Sequence, residues 1–136
     1  MPATRTSDDA TRGRGTRQPS ELAVTEFLRS RRKGENILVA TATDSSALGV
    51  LDAARKNDRE ADFAIVGQDC IPEALAEMQT GKSALIGSIS HEVETYGPRL
   101  IQLGISLLRG YTIPPYNYVR HRAVTAESLS AEAGAD

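Results

Sequence analysis

The sequence predicts an α/β fold, a mainly parallel sheet flanked by helices. Three observations carry that expectation. Short apolar runs alternate with amphipathic segments in the order α-β-α-β-α-β-α-β. The runs at residues 36–42, 61–66 and 84–89 are mostly apolar at successive positions, as in strands buried on both faces. Each run ends in a polar turn that leads into the next helix, so the strands share a direction and their carboxyl ends share a rim.

The elements follow in order. Ser20 is placed to cap a helix over residues 21–32, with Ala23, Val24, Phe27 and Leu28 as its apolar stripe. Arg31, Arg32 and Lys33 suit the negative end of that helix, and Gly34 suits its stop. The basic triplet therefore reads as a helix end and not as a nucleic-acid contact. Ile37, Leu38, Val39 and Ala40 make the first strand, and residues 43–46 the polar turn after it. A helix over 46–56 buries Ala47, Leu48, Leu51 and Ala54. Phe63, Ala64, Ile65 and Val66 make the second strand, followed by a turn at Gly67, Gln68, Asp69 and Cys70. Pro72 suits the first turn of a helix over 72–79, which Thr80 and Gly81 stop. The third strand spans 84–89, a longer helix 93–109, and a fourth strand 116–124 after Pro114 and Pro115. Residues 1–18 and 130–136 are polar and poor in apolar side chains, and are expected to be disordered around an ordered domain at 19–129.

Composition excludes several classes. The 136 residues carry a formal net charge of -2, which gives no general pull toward nucleic acid or an anionic membrane. A single cysteine rules out an internal disulfide. No apolar run approaches the roughly 18–20 residues that cross a bilayer, and residues 1–17 lack the apolar core of an export signal.

Catalytic motifs fail on inspection. Gly81, Lys82 and Ser83 resemble the end of a phosphate-binding loop, but they follow a helix and open a strand, the reverse of what that loop needs. His91 and Glu92 begin like a zinc-protease motif, but Thr95 stands where the second histidine belongs. Asp69, Ser88, Ser90 and His91 include the residue types of a hydrolase triad without a nucleophile elbow. His91 reads as a solvated turn residue and Cys70 as a packing residue. No enzyme activity, metal or cofactor is expected.

The aspartates are more informative. Asp44 and Asp69 each follow a strand at the end where ligands bind, and each also suits a helix start. A carboxylate there can accept hydrogen bonds from two adjacent sugar hydroxyls.

The stretch from Ala42 through Thr43, Asp44 and Ser45 to Gly49 resembles the Asn-Asp-x-x-Ala-Leu-Gly motif of periplasmic sugar-binding proteins, shared by the effector domains of lactose-repressor-type regulators. Ala64 to Asp69 is similar to their next strand and ligand-side aspartate. Pro72 to Leu75, Gly81-Lys82, the segment 88–97, Leu107 to Gly110, Pro114-Pro115 and Val124-Thr125 follow in the family's order, so the resemblance covers residues 20–129. It implies the C-terminal half of a two-lobed fold that closes on a sugar or related small polar ligand. It implies ligand contacts at Thr43, Asp44, Gln68, Asp69, Ser88 and Ser90, with Asp69 foremost. Thr43 stands where the family has asparagine, and Gln68 where it often has an aromatic residue.

The resemblance further implies a binding component of an ABC-type transport system, with a membrane permease as partner and a periplasmic location, although no export signal is visible. The alternative is the effector-sensing half of a regulator, which requires a separate DNA-binding segment. The family is about twice this length, so the chain is expected to be truncated or split. Its longest helix would then lack its usual cover along Leu100, Ile101, Leu103, Leu107 and Leu108. That helix is expected either to repack on the sheet of this chain or to pair with another polypeptide, a second copy or the missing first lobe.

Overall fold

The computed structural model describes residues 13–133. Four strands form one sheet in the order β1-β2-β3-β4: β1 (Ile37–Ala40), β2 (Phe63–Gln68), β3 (Leu85–Ser90) and β4 (Arg122–Thr125). The first three are parallel, and β4 runs antiparallel beside β3 with Ser88 opposite Val124. Among the described residues, five α-helices accompany them: α1 (Arg17–Leu28), α2 (Asp44–Lys56), α3 (Pro72–Gln79), α4 (Tyr96–Leu108) and α5 (Ala126–Ala133).

The core lies on one face of the sheet. Phe63, Ile65, Leu85 and Val124 meet Val24 and Leu28 of α1, the whole inner side of α2, and Ala74 and Met78 of α3. Leu129 of α5 packs against the margin. Helices α1 and α2 approach closely because Gly49 has no side chain: a Cβ there would lie 2.1 Å from the Arg17 carbonyl. Arg17 then reaches across to Asp52 through two hydrogen bonds of 2.6 and 3.0 Å.

Among the described residues, nothing packs over much of the opposite face. Leu38 of β1 and Ile86 of β3 are 76% and 47% exposed, and Ala40 is exposed beside them. A parallel sheet ordinarily has both faces covered. Helix α4 is equally uncovered. None of its residues is buried, and Leu100, Ile101, Ile105, Leu107 and Leu108 all face solvent. Its main contact is the short 3-10 turn Val93–Thr95 just before it. The helix does not repack on the sheet of this chain.

Three elements differ from the sequence reading. Helix α1 starts at Arg17 and ends at Leu28, so Ser20 lies inside it, buried, and Arg31, Arg32 and Lys33 fall in the loop beyond. The loop is held by Arg59, whose guanidinium donates to the carbonyls of Arg31 and Arg32 and to Asp62. The fourth strand begins at Arg122 and not at 116, because it pairs only where the chain returns alongside β3. Residues 126–133 form a helix that the sequence reading did not assign, opened by reciprocal bonds between Thr125 and Ser128. Of the end segments read as disordered, residues 1–12 and 134–136 lie outside the described residues.

Candidate functional site

The corners that follow β1, β2 and β3 meet at one rim. The chain enters α2 through Thr43, whose hydroxyl accepts the Ser46 N–H at 3.1 Å and donates to the Gly15 carbonyl at 3.0 Å. Thr43 is thus the cap of α2. Asp44, the next residue, turns inward and is wholly buried. Its two carboxylate oxygens bridge the neighbouring corners. One accepts the Ser88 hydroxyl at 2.6 Å, and the other accepts the Ile71 N–H at 2.9 Å, at the start of α3. Asp44 therefore serves the start of the next helix along the rim.

The space for that carboxylate comes from Gly67 on β2. A Cβ there would lie 2.0 Å from Asp44 Oδ1. Burial pushes the Asp44 carboxyl above its ordinary value, while the bonds from Ser88 and from the backbone at Ile71 and Cys70 favour the charged form. Ser88, also buried, donates to Asp44 and accepts the Cys70 N–H at 3.2 Å.

Asp69 has the opposite environment. Its side chain is 43% exposed. Its backbone takes a positive φ of 104°, and Cys70 follows at 55°. The Asp69 N–H is fixed by the Ile89 carbonyl at 2.9 Å. His91, at the end of β3, places Nε2 3.6 Å from Asp69 Oδ1. The His121 ring stands edge-on to His91 with centroids 4.9 Å apart. The half-buried Gln68 amide donates to the Thr41 carbonyl at 3.3 Å, and Ser90 accepts the Glu92 N–H at 3.2 Å.

The six residues expected at the site thus share one end of the sheet but divide by use. Thr43, Asp44 and Ser88 are engaged inside the chain. Asp69 presents a carboxylate to solvent, with Gln68 and Ser90 partly accessible on either side. His91 is half-buried between Asp69 and His121 and is not a freely solvated turn residue. Only the antiparallel return of β4 brings His121 here, and no local pattern in the sequence announces it. Among the described residues, no group of three histidine, cysteine or carboxylate side chains is disposed to hold a metal ion. An open hollow of about 830 Å³ lies between α4 and residues 111–120, with Glu92, Gln102, Tyr111, Asn117 and Arg120 on its walls.

The fold recurs in solved structures. The fold is a partial periplasmic-binding-protein fold. It superimposes on an ABC-transporter solute-binding protein from Agrobacterium vitis with bound allitol, at a TM-score of 0.76 and 24% identity over 86% of this chain and 40% of that one. A periplasmic solute-binding protein from Actinobacillus succinogenes with bound D-allose gives a TM-score of 0.74 at 19% identity, with the same coverages. The glucose-galactose binding protein GanP of Geobacillus stearothermophilus gives 0.71 at 18%, over 84% of this chain and 39% of that one. The sequence thus spans about two fifths of the chains it resembles. No protein-family model matches it, and no curated protein does.

Proposed function

We propose that this chain supplies one wall of the cleft of a solute-binding protein for a sugar or related small polar ligand, and that it corresponds to the C-terminal half of that fold. The observation that carries the reading is the rim itself. Three corners converge there, and one of them offers the exposed Asp69 carboxylate. An ionised carboxylate accepts from two neighbouring hydroxyls at once, the pattern a sugar ring displays. Gln68 and Ser90 add neutral partners beside it, and the His91 ring adds a flat surface. The residues read as internal here, Thr43, Asp44 and Ser88, shape the wall without touching the ligand.

The opposing wall is the remaining portion of the fold, carried by a longer polypeptide that contains this sequence or by a separate one. The bare sheet face at Leu38 and Ile86 and the uncovered α4 support that need, as does the two-fifths coverage of the structural neighbours. Delivery of ligand to a membrane permease outside the cytoplasmic membrane is the role we favour, because the sugar-bound neighbours include ABC-transporter components. A sensing role is the second reading. One structural neighbour is the fructose-binding periplasmic domain of a hybrid two-component system, at a TM-score of 0.73 and 22% identity. An effector-sensing half of a lactose-repressor-type regulator would use the same wall.

Titration calorimetry with D-allose, allitol and L-arabinose tests the reading. The isolated chain is expected to show no micromolar binding, since one wall leaves half the ligand in water. Chain joined to the remaining portion of the fold is expected to bind, and Asp69→Ala in that assembly to weaken binding about 10–100-fold, the worth of a charge-assisted hydrogen bond. Micromolar binding by the isolated chain would refute the half-cleft.

A further inference from the structure

Asp69 and Cys70 are consecutive non-glycine residues with positive φ, 104° and 55°. Side chains with a Cβ seldom adopt that region unless their surroundings impose it. Here the surroundings can be named. Three successive backbone N–H groups, those of Asp69, Cys70 and Ile71, are each held: by the Ile89 carbonyl, by Ser88 Oγ and by Asp44 Oδ2. Ser88 and Asp44 are in turn bonded to each other at 2.6 Å, and both are buried. Gly67 leaves the space in which Asp44 fits.

We propose that Asp44 and Ser88 act as one positioning unit that holds the corner at Asp69 and Cys70 in its left-handed form, and so fixes the direction in which the Asp69 carboxylate meets the ligand. This rests on the reading of Asp69 as ligand-facing for its functional meaning, while the hold on the corner stands on geometry alone. The unit explains why two polar residues at the rim are withdrawn from solvent. A carboxylate that must accept hydroxyls in a set direction gains from a rigid backbone beneath it. A loose corner would have to be ordered when the ligand binds, at a cost in affinity.

Cys70 is the sole cysteine, so its alkylation by iodoacetamide reports the corner without any ligand. The variants are Ser88→Ala, Asp44→Asn and the pair together, with Val24→Ala as a control that loosens the core at a distance. Ser88→Ala decides the matter because two effects oppose each other. Burial raises the Cys70 thiol and the Ser88 hydroxyl lowers it, so losing the hydroxyl alone slows alkylation. Release of the corner speeds it. Alkylation about tenfold faster in Ser88→Ala and unchanged in Val24→Ala supports the unit; in the two variants that carry Asp44→Asn, loss of the Asp44 charge also lowers the thiol and speeds alkylation, so Ser88→Ala carries the test. Unchanged or slower alkylation in Ser88→Ala overturns it, and so does equal acceleration in Val24→Ala. Failure of Asp69 as a ligand contact would leave these rates as they are, so the two failures are separable.

Discussion

Helix α4 offers the sharpest test of whether this fold is complete in itself. Leu100, Ile101, Ile105, Leu107 and Leu108 are between 44% and 90% exposed. Full burial of such a side chain is worth about 1.5–3 kcal/mol, so covering what is exposed would yield about 5–10 kcal/mol. Leu38 and Ile86 on the bare sheet face would add about 2–4 kcal/mol. Association itself costs about 4–15 kcal/mol before any contact counts. The helix alone therefore supports only weak pairing, whereas one partner that covers both helix and sheet face moves the balance further toward association.

The perturbation is Leu100→Glu with Leu108→Glu. Neither side chain packs in the core of this chain, so the unfolding free energy in urea is expected to stay within about 0.5 kcal/mol of the parent. Light scattering after size exclusion is expected to show concentration-dependent association in the parent and none in the variant. Two results would refute the reasoning. A loss of more than about 2 kcal/mol in the variant would mean that α4 packs on its own chain. A parent that remains monomeric up to about millimolar concentration would mean that the apolar face needs no cover.

Three further predictions concern the packed side. Gly67→Ala places a methyl group 2.0 Å from Asp44 Oδ1, so it should break the bridge to Ser88 and Ile71 and cost about 3–4 kcal/mol in urea unfolding. Asp44 has its carboxyl raised by burial, so the folded state binds more protons than the unfolded one between the ordinary value and the raised one, and stability falls as pH rises through that window. The stability advantage of the parent over Asp44→Asn should accordingly be largest in acid and shrink toward neutral pH, read by urea titration at each pH. Arg55 shows the opposite sign. It bonds Glu60 and Glu77 in a partly exposed cluster and holds both carboxyls below their ordinary values. Arg55→Met should cost about 0.5–1 kcal/mol near neutrality, and the difference should vanish as pH falls below the carboxylate range or salt rises.

The alternation of apolar runs was enough to read α/β class and strand direction, because β1, β2 and β3 lie where local pattern and tertiary packing agree. Legibility ended where partners decide. Ser20 has a cap's chemistry, yet the crossing at Gly49 and the Arg17 to Asp52 bond draw α1 earlier in the chain. Residues 116–121 have strand-like composition, yet only from Arg122 does the chain find β3 to pair with. At the rim, sequence placed Asp44 and Asp69 at equivalent positions after two strands. It could not distinguish them, because the difference lies in Gly67 of β2 and Ser88 of β3, which make room and bonds for Asp44 alone.

That distinction bears on how such a wall is built. Under the proposed reading, a carboxylate exposed for recognition needs a backbone that does not yield, and Asp44 at the same rim is a second carboxylate buried from solvent. Removing Asp44 from water is costly, and the bonds from Ser88 and Ile71 only offset that cost if both corners are in place. The buried aspartate thus ties α2, the start of α3 and β3 into one arrangement, and only that arrangement satisfies it. The same face of the sheet that holds this network carries the packed core, while the opposite face and α4 are left apolar and open. Polar satisfaction is concentrated at the rim that we propose as one wall of a cleft, and apolar exposure on the opposite sheet face and α4.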